Sequence, residues 1–213
     1  MVAFSSILAV STLIASTLAA PLRSSELDRR ALPVGITVET ARSYLSQLTV
    51  DTPSNSPAYK RSYFKLWDTI SGHCNTRKVV LIRDGTNVVT DDNCAIVSGS
   101  WVSPYDDISI TSARGLDIDH LVPLKEAWIS GARNWTPDRR EQFANELTQP
   151  QLVAVTHAIN EAKGDKNPAN WLPPVDSYKC TYVLAWIQVK YNYGLTVDSN
   201  EQAALGSTLD NYC

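Results

Sequence analysis

The run Leu116-Asp117-Ile118-Asp119-His120-Leu121-Val122-Pro123 constrains the fold more than any other part of the chain, because it reads as a strand with a defined end. Polar and apolar residues alternate from Asp117 to Asp119, which puts both aspartates on one face of an extended segment and turns Ile118 to the core. Pro123 has no N–H with which to continue a ladder. One loop later, Leu152 to Thr156 is a second short strand of mostly branched residues, preceded by Gln151. From His157 to Gly164 the pattern becomes helical, with Asn160 in the first turns. Two strands with a helix packed behind them are the expected centre of the molecule.

The rest of the chain sets the context. Phe4 to Leu18 is apolar or hydroxylic and ends in Leu18-Ala19-Ala20, so residues 1–20 are expected to be a secretory leader, too short and too rich in Ser and Thr for a membrane span. Arg29-Arg30 reads either as the end of a pro-segment over 21–30 or as two solvated arginines. Residues 31–213 suffice for one domain with a substantial core. Four cysteines, all beyond the leader, suggest two disulfides in an oxidising compartment. Of the three pairings, Cys74 with Cys94 and Cys180 with Cys213 is favoured because each bridge closes a local segment. No pair has CxxC spacing, which argues against a structural zinc site. A secreted, extracellular monomer is expected. The net charge of −3 argues against a broad basic surface for holding nucleic acid. It leaves room for an enzyme that needs only local positive potential.

Periodicity predicts helices over Val38–Leu48, capped by Thr37, and over Tyr63–Ile70, Leu124–Ser130, Asp138–Leu147, Thr181–Tyr193 and Ser199–Tyr212. Residues 51–57 and 101–114 read as loops. Val79-Val80-Leu81-Ile82 reads as a strand within Lys78–Arg83, returning at Val88–Thr90 as a small hairpin that the Cys74–Cys94 bridge would clamp. The fold class is α+β, with the two-strand core embedded in a mainly helical domain.

A carboxylate beside an imidazole at a strand end, met by an amide from the next helix, can hold a divalent cation and supply a base for phosphodiester hydrolysis. The ordered motif, Asp-His, a hydrophobic-Pro element, a hydrophobic strand and then Asn160-Glu161-Ala162-Lys163-Gly164, resembles the HNH, or ββα-metal, endonuclease superfamily over residues 116–171. Its core spans 114–171. From about Trp67 to Cys213 the chain is similar to secreted fungal and bacterial HNH proteins that resemble the C-terminal domain of GmrSD-type restriction enzymes. The resemblance implies that His120 is the general base and that Asp119 and Asn160 are ligands of one divalent metal ion, Mg²⁺ with Mn²⁺ as the alternative. The middle Asn of that signature, which orients the base, has no direct counterpart: Gln151 occupies the position before the strand, and Asn145 is the other candidate.

The substrate expected on this reading is DNA, with RNA left open, cleaved to 5′-phosphates. Asp117 is assigned to outer-shell support or to holding a cation, while Lys163, Arg139 and Arg140 are candidates for touching phosphate. Taken singly, each of these residues is an ordinary structural or surface group; only their ordered combination marks a site. His73 and His157 lack such company and read as structural or solvent-exposed. Three rivals are a non-catalytic secreted interaction or effector protein on the same scaffold, a metal-dependent hydrolase of another ester, and, more weakly, a carbohydrate binder suggested by six tryptophans.

Overall fold

The computed structural model describes residues 32–33 and 35–213. The expected leader over 1–20 and pro-segment over 21–30 lie outside the described residues. Three long helices frame the molecule. Helix α1, Val38–Gln47, is capped by Thr37, whose Oγ1 accepts from the Thr40 N–H at 3.1 Å, and it buries Ala41 and Leu45. Helix α6, Asp176–Tyr193, is closed by Gly194 in the left-handed region at φ 65°, and helix α7, Ser199–Tyr212, is capped by Asp198. Cys180 bonds Cys213, so the start of α6 is tied to the end of α7 as the sequence suggested. Helix α6 begins five residues before the predicted Thr181. Its first turn is polar and carries no hydrophobic period, and it is held instead by Lys179 on Asp176 at 2.6 Å.

These helices enclose one core that includes Tyr182, Trp186, Phe143 and Trp128. A buried ionic group sits within it. Lys190 Nζ lies 2.8 Å from Glu126 and 2.7 Å from Glu201, and Trp186 Nε1 donates to Glu201 at 2.6 Å. Two carboxylates thus share one ammonium out of contact with water.

The strand pair at the centre forms as expected. Strand β6, Leu116–His120, runs antiparallel to β7, Leu152–Thr156, in a register that sets Asp119 opposite Val153 and His120 opposite Leu152. Thr156 then caps helix α5, His157–Lys163. Helices α3, Leu124–Ile129, and α4, Pro137–Ala144, fill the interval between the strands, α4 ending three residues before the predicted Leu147 at Asn145. A two-stranded sheet leaves main-chain groups unpaired at its edges, and these need partners when buried. Arg83 donates to the Leu152 carbonyl and Asp84 accepts from the Ala154 N–H at 2.8 Å, which seals the outer edge of β7.

Those two residues end a helix, not a strand, and here the sequence reading is corrected. Thr76–Asp84 is helix α2, started by Asn75, whose side chain accepts from Lys78 N–H. Four consecutive apolar residues do not distinguish a strand from a buried helix face. In α2, Val80 and Leu81 face a second core cluster with Trp101, Leu116, Ile118, Leu152 and Ala154, while Ile82 is exposed. The hairpin is displaced accordingly. Strand β3, Thr86–Thr90, pairs with β4, Ile96–Val102, and β5, Ser109–Ile110, adds a third strand from the region read as loop. At Gly85 a Cβ would come within 2.5 Å of the Trp101 indole nitrogen, so glycine admits the ring that donates to the Leu81 carbonyl at 2.8 Å. The Cys74–Cys94 bridge forms but joins the start of α2 to the β3–β4 turn.

Tyr63–Ile70 is likewise not a helix. A 3-10 turn over Arg61–Tyr63 is followed by Trp67 at φ 61°, which stops helical propagation, and then by strand β1, Thr69–Ser71, paired with β2, Cys74–Asn75. Among the described residues no helix is long and apolar enough to cross a membrane.

Burial raises the Glu201 carboxyl to about 7, opposed by Lys190 and reinforced by Glu126. A carboxyl whose pKa is higher folded than unfolded binds its proton more tightly in the native state. The contribution of this carboxyl to stability is therefore greatest at or below the ordinary Glu range and declines as pH rises toward about 7. Relative to Glu201→Gln, the wild type is predicted to lose several degrees of melting temperature between about pH 5 and about pH 8. Circular dichroism melts of the two proteins across that range check this; the same pH dependence in both would rule out a raised Glu201.

Candidate active site

Strand β6 delivers Asp117, Asp119 and His120, and helix α5 delivers Asn160 and Lys163, which are three residues apart and share a helix face. Because β6 and α5 pack on each other, Asp119, His120 and Asn160 line a single cavity of about 160 Å³, together with Tyr59, Arg61 and Asp165.

His120 is 6 % exposed, and its Nε2 lies 2.9 Å from the Ala144 carbonyl at the end of α4. A carbonyl oxygen only accepts, so Nε2 carries the ring proton and Nδ1 keeps its lone pair. Burial lowers the imidazole to about 4; the Ala144 carbonyl opposes the fall, and the charges of Arg61 and Lys163 add to it. The ring is neutral at physiological pH. Trp67 packs near it, with ring centroids 6.0 Å apart.

Asp119 is buried and fully engaged. Its Oδ1 accepts from Lys163 Nζ at 2.8 Å and its Oδ2 from the Tyr105 hydroxyl at 2.8 Å. Burial pushes this carboxyl up, while Lys163 and the Tyr105 hydrogen bond pull it down. Lys163 is itself lowered by burial, with Asp119 opposing. Its ammonium also donates to the His120 carbonyl at 2.9 Å, so one lysine grips two successive residues of β6. Asp117 lies at the outer end of the same face, where Oδ2 accepts from Asn160 Nδ2 at 3.0 Å and meets His157 Nδ1 at 2.9 Å. The hydrogen bond that His157 donates to Asp117, followed by the charges of Asp117 and Glu161, raises the imidazole.

Several residues singled out in the sequence sit elsewhere. Lys163 is fully buried on Asp119 and does not reach the surface where a phosphate could meet it. Gln151 does not touch the imidazole: Nε2 donates to the Val122 carbonyl at 2.8 Å and Oε1 accepts from Val122 N–H at 3.1 Å, which locks the turn after β6. Asn145 caps α4 and accepts from the Asp68 N–H and the Thr76 hydroxyl. It anchors the turn beside Ala144 without contacting His120. Arg139 donates to the Tyr193 carbonyl and stacks on Trp135, while Arg140 donates to the Tyr63 and Trp135 carbonyls; neither lines the cavity. The group that orients the ring is the Ala144 main chain, which has no sequence signature. Tyr105 and Arg61 were also missed, since nothing in their local sequence connects them to the motif.

Asp119 and Asn160 line the cavity, and a carboxylate and an amide both offer hard oxygen donors suited to Mg²⁺ or Mn²⁺. Each Asp119 oxygen accepts one hydrogen bond and keeps a lone pair, and Asn160 turns its Nδ2 to Asp117, which leaves its Oδ1 for a cation. Among the described residues no group of three or more His, Cys, Asp and Glu side chains could hold a metal ion, so water would have to complete any shell.

The model for the C-terminal domain of GmrSD restriction endonucleases matches residues 77–208. The chain is also similar to an uncharacterized secreted protein of Arthroderma benhamiae, 54% identical over 171 residues that cover 80% of this chain and 84% of the relative. No solved structure matches.

Breaking the buried pair by Lys163→Met strands the Asp119 charge and is predicted to cost on the order of 3–5 kcal/mol in urea unfolding. Adding Asp119→Asn should recover part of that loss. A single variant as stable as the wild type would show that Lys163 is not the counter-ion of Asp119.

Proposed function

The chain belongs to the GmrSD restriction endonuclease C-terminal domain family, and from that premise and the geometry of its cavity we propose that it is a metal-dependent endonuclease hydrolysing phosphodiester bonds of DNA, with RNA as a second substrate. The protein is secreted: its relative is named a secreted protein, and all four of its cysteines are paired. In this reading β6, β7 and α5 are the ββα core of the HNH type within a single domain over 31–213, preceded by a leader over 1–20 and a pro-segment over 21–30. The enzyme works as a monomer.

The observation that carries the reading is a neutral imidazole whose Nε2–H is fixed on the Ala144 carbonyl, next to a carboxylate and an amide in the same cavity. His120 Nδ1 takes the proton from an attacking water, and the Ala144 carbonyl holds the ring in the tautomer this requires. Asp119 and Asn160 would hold a divalent cation, Mg²⁺ or Mn²⁺, which would supply polarisation of the scissile phosphate and neutralisation of charge on the leaving 3′ oxygen, giving 5′-phosphates. Lys163 and Tyr105 position Asp119, and Asp117 holds the Asn160 amide so that its oxygen is presented. Gln151 serves by fixing the turn that ends β6.

One observation favours a non-catalytic protein on the same scaffold: both Asp119 oxygens already accept a hydrogen bond within the protein. Cleavage separates the two readings. Purified protein should nick supercoiled plasmid or degrade unstructured RNA with Mg²⁺ or Mn²⁺ and not with EDTA, and His120→Ala should lose about 10²–10⁴-fold in rate. No cleavage of either substrate by folded wild type would support the non-catalytic reading.

A further inference from the structure

The family match begins at Arg77, yet two residues well before it, Tyr59 and Arg61, line the cavity beside Asp119, His120 and Asn160. Their backbone is held from both sides. Trp128 Nε1 donates to the Pro57 carbonyl at 2.8 Å before them, and Arg140 Nε donates to the Tyr63 carbonyl at 3.1 Å after them. Tyr63 stacks on Trp128 with ring centroids 4.9 Å apart, and the next residue, Phe64, is buried. A rigid frame therefore carries an exposed guanidinium to the cavity.

Among the described residues that guanidinium has no carboxylate partner: the ion pairs engage Arg42, Lys65, Arg83, Lys125, His157, Lys163, Lys179 and Lys190, but not Arg61. Its neighbour is the Tyr59 hydroxyl, and its charge reaches His120. The other charged side chains lining the cavity are Asp119 and Asp165, paired with Lys163 and Lys125, and the whole chain carries −3. An unpaired side-chain cation there favours entry of a phosphate. The cations that the sequence suggested do not fill this place, because Lys163 is buried on Asp119 and neither arginine of α4 lines the cavity.

We propose that Arg61, seconded by the Tyr59 hydroxyl, binds the nucleic-acid phosphate at this site, its planar donors meeting non-bridging oxygens. The proposal rests on the nuclease reading and adds to it the residue that holds the substrate. Residues before the family match are then part of the site and not a separate appendage.

The test is fluorescence anisotropy of a short labelled single-stranded oligodeoxynucleotide over a salt series. The probe is titrated onto His120→Ala protein and onto the His120→Ala, Arg61→Ala double variant. Loss of Arg61 should weaken binding roughly tenfold at low salt and reduce the slope of log affinity against log salt by about one. Arg61→Lys should fall between the two. Arg42→Ala, which removes a cation paired with Asp210, should change neither quantity. Arg61 is exposed, so its substitution removes no core packing, and unchanged circular dichroism verifies the fold. Equal affinity and slope with and without Arg61, alongside cleavage by the wild type, overturn this assignment and leave the nuclease reading standing. Arg61-dependent binding by a wild type that never cleaves keeps the assignment and removes the nuclease reading; neither binding nor cleavage overturns both.

Discussion

The contact on which the centre of this molecule depends is the Lys163 ammonium, buried between the Asp119 carboxylate and the His120 carbonyl. An ammonium removed from water is tolerated only where opposite charge and acceptors surround it, and here β6 provides both. The lysine projects from the last turn of α5, so its position fixes how the helix lies across the strand pair. That packing decides where Asn160, three residues earlier, meets the cavity. A single buried charge thus sets the separation of the groups proposed to act together. The Tyr105 hydroxyl on the other carboxylate oxygen stops Asp119 from turning away.

Around this contact the molecule spends its polar groups on main chain. Gln151 closes the turn after β6, Asn145 ties α4 to the segment carrying Asp68, and Arg83 with Asp84 seals the edge of β7. The bonds of Arg83 and Asp84 are those that a buried two-stranded sheet needs when it has no further strands to satisfy it. The outcome is a rigid wall from which His120 faces the cavity with its proton fixed on Ala144. Segments distant in sequence complete the site: Tyr105 from the loop before β5, and Tyr59, Arg61 and Trp67 from the region before α2.

The strand, strand and helix of the motif were legible because alternation, a proline stop and the onset of a helical period at His157 each act within a few residues; the Thr156 cap was not read in advance. The α6–α7 pair and both disulfides were legible for the same reason: the bridges close local segments and the helices carry their own period and caps. Val79 to Ile82 misled because a short apolar run lacks a period, and the Asn75 cap that decides the matter is a single residue. Gln151 and Asn145 looked like ring-orienting amides by position alone. The orienting group proved to be a carbonyl 24 residues from His120, a contact that side-chain identity does not encode. The same limit hid Arg61, whose place in the cavity follows from how Trp128 and Arg140 hold its turn.

The proposed chemistry requires that Asp119 and Asn160 hold a divalent cation beside a neutral His120. Nitrogen-15 labelling of the three histidine rings, followed by a Mn²⁺ titration, tests it directly, since paramagnetic broadening falls off steeply with distance. The account predicts a His120 ring protonated at Nε2 near neutral pH and broadened well before the exposed His73, with the effect lost in Asp119→Ala. A His120 signal no more affected than that of His73 would contradict it.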